Sequence, residues 1–134
     1  MKTIIKLTLA FATLVLIPGF KGNHEIKNTS DMGCEIMHTG TFKYGDANDD
    51  IRVIIKGNRH IEVDVKTQHT IKSKLEWVND CEYNVTLRHF TIPNFPYKVG
   101  DVINVKIDEV IGNEIFYTSR LKRKSWKGKL IKTN

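Results

Sequence analysis

Apolar and polar side chains alternate with a period of two along most of the chain after residue 35, and turn residues interrupt the alternation roughly every ten positions. That rhythm predicts short, half-buried β-strands and no helix of consequence. Ile36, His38, Gly40, Phe42 and Tyr44 share one face of a first strand. Gly45 to Asp50 is too polar and turn-rich to extend it. Ile51, Val53 and Ile55 lead to Gly57-Asn58, and Ile61, Val63 and Val65 lead away.

Burial argues for the register of this hairpin. A two-residue loop sets Ile55 opposite His60 and sends the apolar residues of the two strands to opposite faces. A three-residue loop, Gly57 to Arg59, pairs Ile55 with Ile61, Val53 with Val63 and Ile51 with Val65, so the longer loop is expected. On that register His60, Glu62 and Asp64 point to solvent. The next hairpin runs through Ile71, Ser73, Leu75 and Trp77, turns at Val78-Asn79-Asp80, and returns through Cys81, Tyr83, Val85 and Leu87. Thr91 to Gly100 holds Pro93 and Pro96, which cannot donate to a ladder, so it reads as a loop or lid. Ile103, Val105 and Ile107 make a sixth strand. Gly112-Asn113 turns it into Ile115, Tyr117 and Ser119, and a short eighth strand covers Lys129 to Lys132.

Eight strands in chain order without intervening helices favour an antiparallel up-and-down meander closed into a barrel, because closure removes exposed edges. A two-sheet sandwich is the alternative. The aromatic residues Phe42, Tyr44, Trp77, Tyr83 and Tyr117 are candidates to line the interior. A small eight-stranded barrel is either filled by such side chains or encloses one small apolar ligand.

Ahead of this domain, Lys2 and Lys6 precede an apolar run from Leu7 to Ile17 closed by Pro18-Gly19. This is the layout of an export signal, too short to span a bilayer as a helix. Residues 1–22 are expected to be removed, 23–33 to form a loose polar lead, and 34–134 to form a single domain. The product is periplasmic or secreted and does not span the membrane. In an oxidising compartment the pair Cys34 and Cys81 predicts one disulfide, the other reading being two buried thiols.

The formal charge of +6 conceals an asymmetry. Between Asn23 and Glu114 acidic side chains outnumber basic ones. After Ile115 there are no acidic residues, and Arg120, Lys122, Arg123, Lys124, Lys127 and Lys129 surround Trp126. Such a cationic, aromatic-bearing end is a candidate for an anionic envelope surface such as a glycan or lipid headgroup. A stable nucleic-acid partner is not expected of an exported protein, and edge lysines also serve to block aggregation.

Nothing in the sequence assigns catalysis, a cofactor or a metal. Asp46-x-Asn48-x-Asp50 begins like a calcium loop, but Ile51 stands where glycine is required and Gly57 where the bidentate glutamate is required. His24, His38, His60, His69 and His89 form no ligand motif, and neither a nucleophile elbow nor a P-loop occurs. An enzyme remains only if folding brings His38, His89 or the carboxylates into one cleft. The primary expectation is a non-catalytic binding or envelope-interaction module, with a small apolar ligand as one occupant.

Cys34, Thr39-Gly40-Thr41-Phe42-Lys43-Tyr44, Gly57-Asn58 with Ile61-Glu62, Trp77-x-x-Asp80-Cys81-Glu82-Tyr83, Val105-Lys106-Ile107 and Gly128-x-Leu130-Ile131-Lys132 span nearly the whole domain. Together they resemble a family of short exported flavobacterial proteins, whose members often carry the label DNA topoisomerase IV. That activity requires a much larger chain with a DNA gate and a nucleotide site, so the resemblance implies a small exported β domain and no activity. Gly40-Thr41-Phe42 also resembles the Gly-x-Trp opening of lipocalins, with Phe in place of Trp, which implies an eight-stranded barrel with a ligand cavity.

Overall fold

A computed structural model describes residues 32–45 and 50–134. The expected export signal, most of the polar lead and most of the calcium-like loop lie outside the described residues. A one-turn 3₁₀ helix, Cys34–Met37, precedes eight strands: β1 Gly40–Tyr44, β2 Ile51–Lys56, β3 Arg59–Asp64, β4 Thr70–Asn79, β5 Glu82–Phe90, β6 Val102–Ile111, β7 Glu114–Leu121 and β8 Lys124–Lys132. Each pairs antiparallel with the next, and β1 pairs with β8 through Phe42↔Lys132, Lys43↔Ile131 and Tyr44↔Leu130. The sheet is therefore a closed barrel and not a sandwich. Closure satisfies both edges of every strand, which an open meander of this length would leave to aggregation.

The inward face is packed. Phe42, Val53, Ile55, Leu75, Tyr83, Ile107 and Ile115 are each fully buried, and burial of a side chain of this size stabilises by about 1.5–3 kcal/mol. Because the strands alternate in direction, the tight turns at 57–58, 80–81 and 112–113 gather at one end of the barrel. The 3₁₀ helix plugs that end, with Cys34 and Met37 buried. A disulfide joins Cys34 to Cys81 in the β4–β5 turn across 5.2 Å between Cα atoms. His38 Nε2 lies 2.9 Å from the Asp80 carbonyl oxygen, and its ring stacks on Trp77 at 4.0 Å. Lys132 Nζ donates to the carbonyls of Ile36 (3.0 Å) and Thr39 (2.9 Å), so the last strand fastens the plug. The opposite end is a mouth framed by the longer loops after β3 and β5 and by the Lys122-Arg123 turn. The loop from Thr91 to Gly100 is irregular as expected, with Phe95 packed between Phe90 (4.7 Å) and Tyr97 (5.2 Å).

Four expectations are corrected. Ile36 and His38 are not part of β1, because the chain first turns through the 3₁₀ helix to bring Cys34 to Cys81. The β4–β5 hairpin keeps its inward residues but shifts register, pairing Trp77 with Tyr83 and Leu75 with Val85, with an irregularity between Trp77 and Asn79. The eighth strand begins at Lys124, not Lys129. The largest correction concerns β3. Gly57-Asn58 is a two-residue loop with Gly57 at φ 58°, and the pairs are Ile55↔His60, Ile54↔Ile61 and Val53↔Glu62. Glycine readily takes a positive φ, and turn chemistry overrode the apolar alternation. His60 and Glu62 consequently face the lumen, while Ile61 and Val63 face outward.

Candidate functional site

The inverted register of β3 places the most unusual chemistry of the molecule inside the barrel. Glu62 projects from the middle of β3 toward Tyr44, which reaches over β2 from the mouth end of β1, and the Tyr44 hydroxyl hydrogen-bonds the Glu62 carboxyl. Tyr83 from β5 and Tyr117 from β7 share this electrostatic neighbourhood. Burial raises the Glu62 carboxyl to about 7, partly offset by the Tyr44 hydrogen bond. Burial first, and then the Glu62 charge, pushes Tyr44 well above the usual phenol range, and burial raises Tyr83 as well. Both Tyr44 and Glu62 are nevertheless half-buried by surface exposure. Their polar heads thus sit deep among protein atoms with residual access to solvent.

His60, one turn of the pleat toward the plug, is only 7% exposed. Burial depresses its imidazole to about 4. Its Nδ1 has no hydrogen-bond partner among the described residues, whereas most buried polar side-chain atoms have one. The ring stands 6.5 Å from Tyr83, which packs on Trp77 at 4.8 Å, and Trp77 carries His38. An aromatic ladder therefore runs from the plug to the polar cluster. Tyr117 packs against Gly128, where an added Cβ would clash with its ring.

The five aromatic residues expected inside are there: Phe42, Tyr83 and Tyr117 are buried, and Tyr44 and Trp77 pack against the core. His60, Glu62 and Asp64 were expected outside and are inside or at the inner rim. The signal that locates them is the Gly57-Asn58 pair itself, a sequence suited to a two-residue hairpin loop. Asp64 is held by its own turn, its Oδ1 accepting from the backbone N–H groups of Lys66 (2.9 Å) and Thr67 (3.1 Å). His38 and His89 are not brought together, since His38 belongs to the plug and His89 pairs with Lys72 near the far end of β5. Among the described residues no cluster of three or more His, Cys, Asp or Glu side chains is arranged to hold a metal ion.

The C-terminal basic residues divide between two environments. Arg120, Lys122, Arg123, Lys124 and Lys127 are exposed on the β7–β8 hairpin. Lys129 is paired with Glu114 at 2.9 Å and stands over the Phe116 ring at 5.7 Å. Trp126 shares the inward face with Ser119, opposite it on β7, so its ring does not interleave with the outward cations. A shallow groove of about 430 Å³ crosses the β6–β7 irregularity, but its charged lining mixes Asp108 and Glu109 with Lys127.

No family model, curated protein or solved structure matches the chain.

Proposed function

We propose that this protein is an exported, non-catalytic binding barrel that takes a small molecule through its mouth and holds it on the Glu62–Tyr44 pair. The observation that carries this reading is the polar cluster itself. Placing a carboxyl, an imidazole with an unpartnered nitrogen and phenol hydroxyls in an apolar lumen lowers stability, and strongly perturbed groups in a recess are favoured candidates for binding sites. The cluster revises the expected ligand from purely apolar to amphipathic: an apolar body with one hydrogen-bond-donating head, an amine or hydroxyl, for the Glu62 carboxylate. Export is supported by the charged and apolar layout of residues 1–22 and by the Cys34–Cys81 bridge. Native mass spectrometry of the protein purified without denaturant tests the reading. A mass beyond that of the bridged polypeptide is expected, and less of it in a Glu62→Gln protein that keeps the β circular-dichroism spectrum of the unaltered one. Bare polypeptide in both proteins overturns it.

A second reading, favoured by the five exposed cations of the β7–β8 hairpin, is attachment to an anionic glycan or headgroup. It predicts retention on an anionic column that weakens with salt and with Lys122→Glu/Arg123→Glu.

A further inference from the structure

We propose that the outer wall of β1–β4 is a docking surface for an anionic lipid bilayer, separate from both the lumen and the β7–β8 hairpin. The two-residue turn at Gly57-Asn58 creates this wall. By turning Glu62 into the lumen and Asp64 to the inner rim it removes the acidic residues of β3 from the outer wall, and it leaves Arg59, Ile61 and Val63 there. Ile61 lies between Ile54 of β2 and Lys72 of β4. Val63 lies between Arg52 and Thr70, and Arg59 between Lys56 and Lys74. Just past the strand, Val65 continues the apolar line at 44% exposure.

Among the described residues the charges on this wall are predominantly positive, and Asp50, opposite Val65 at its edge, is paired with Lys66 at 2.8 Å. Lys43, Arg52, Lys56, Arg59, Lys72 and Lys74 all occupy outward positions of β1–β4. The outward acid of these strands is Glu76, at the end of β4, where Lys74 pairs with it at 2.6 Å. An apolar centre of β-branched side chains is thus rimmed by long cationic ones, whose stems can lie along the centre while their heads reach outward. A bilayer of anionic lipid offers both complements, phosphate at the headgroups and acyl chain beneath. Duplex nucleic acid offers only the first, and single strands need stacking aromatics, which the outward positions of β1–β4 lack.

Co-sedimentation of the full chain with vesicles of equal parts phosphatidylglycerol and phosphatidylcholine, against phosphatidylcholine alone, tests the proposal. Pelleting is expected only with the anionic vesicles. Each cation near such a surface contributes roughly fivefold in partitioning, so Arg59→Glu/Lys72→Glu should lower it by more than tenfold. Ile61→Thr/Val63→Thr, which keeps strand-compatible side chains, should remove the part that survives high salt. Lys98→Glu/Lys106→Glu, outside both this wall and the β7–β8 hairpin, should pellet like the unaltered protein, and all three variants should melt like it. Absence of pelleting with anionic vesicles overturns the proposal, as does its loss in the Lys98→Glu/Lys106→Glu variant alone. Competition by heparin or duplex DNA with no effect of the Ile61/Val63 change also overturns it, in favour of a polyanion. None of these outcomes depends on Glu62, so the lumen reading stands or falls separately.

Discussion

The Tyr44 hydroxyl and the Glu62 carboxyl meet inside the barrel although all of β2 lies between their backbones. The contact exists because β1 ends at the mouth, where its last side chain can lean across the lumen, and because the β2–β3 turn puts Glu62 on the inner face. One hairpin choice therefore makes both the polar lumen and the cationic, apolar-centred outer wall.

The two buried titratable groups of β3 pull stability in opposite directions with pH. Glu62 is raised from 4.5 to about 7 on folding, so its protonated form stabilises the barrel below pH 4.5 and that contribution is lost as pH rises to about 7. His60 is lowered from 6.5 to about 4, so its neutral form is favourable above pH 6.5 and the contribution is lost as pH falls to about 4. Each is on the order of 3 kcal/mol, so the two slopes largely cancel between them. Urea unfolding from pH 4 to pH 7 should give a nearly flat profile for the unaltered protein. Glu62→Gln should show stability rising with pH, and His60→Leu should show it falling. Parallel profiles in all three proteins would remove the lumen placement of this pair.

Gly128 is required by the neighbouring ring and not by its backbone. A Cβ there would clash with the Tyr117 hydroxyl and with Cζ of its ring. Gly128→Ala should lower stability by about 1–3 kcal/mol through overpacking. In a Tyr117→Leu background the same change should cost much less, a coupling that a double-mutant cycle of melting temperatures measures directly.

Where one face of a strand is continuously apolar, period-two reading places it correctly, as for Leu75 on β4, Val85 on β5 and Ile115 on β7. Eight strands in meander order likewise required a closed barrel or a sandwich. The reading fails at β3 because two apolar sets compete there. Val53 and Ile55 must go inward, and the alternation of Ile61 and Val63 looks equally inward, until the loop length decides which set yields. That decision needs knowledge of what the lumen tolerates, which depends on Tyr44, sixteen or more positions away in sequence and adjacent only once the barrel has closed. The β4–β5 shift has a related cause. The disulfide draws Cys81 into the plug, out of the strand to which simple alternation assigns it.

The Cys34–Cys81 bridge closes a sequence separation of 47 residues. On the chain-entropy description this is worth about 3–4 kcal/mol. Replacing both cysteines by serine should lower the melting temperature accordingly and quicken amide exchange first in residues 34–39, leaving the β7–β8 ladder protected. Uniform loss of protection across the barrel would instead make the plug and barrel a single cooperative unit.

Lys132 joins the two ends of the domain and separates its roles as charge and as fastener. It belongs to the basic C-terminal run by sequence, yet its ammonium is spent on the carbonyls of Ile36 and Thr39 and stands 5.8 Å from the centre of the Phe42 ring. Hydrogen bonds to a charged donor contribute about 1.5–3 kcal/mol. Lys132→Met keeps the stem that covers Phe42 and deletes only the charge, so it should destabilise by that order and expose the plug to exchange. Lys127→Met, on the same strand but facing outward, should change stability by no more than a few tenths of a kcal/mol. The contrast also governs how the basic end can be probed. Removing residues 120–134 would take away β8, which holds β7 on one side and β1 on the other, and would open the barrel. Tests of surface charge here therefore need side-chain substitutions and not truncation, and a Lys132→Met protein as stable as the Lys127→Met protein would show that the C-terminal strand does not fasten the plug.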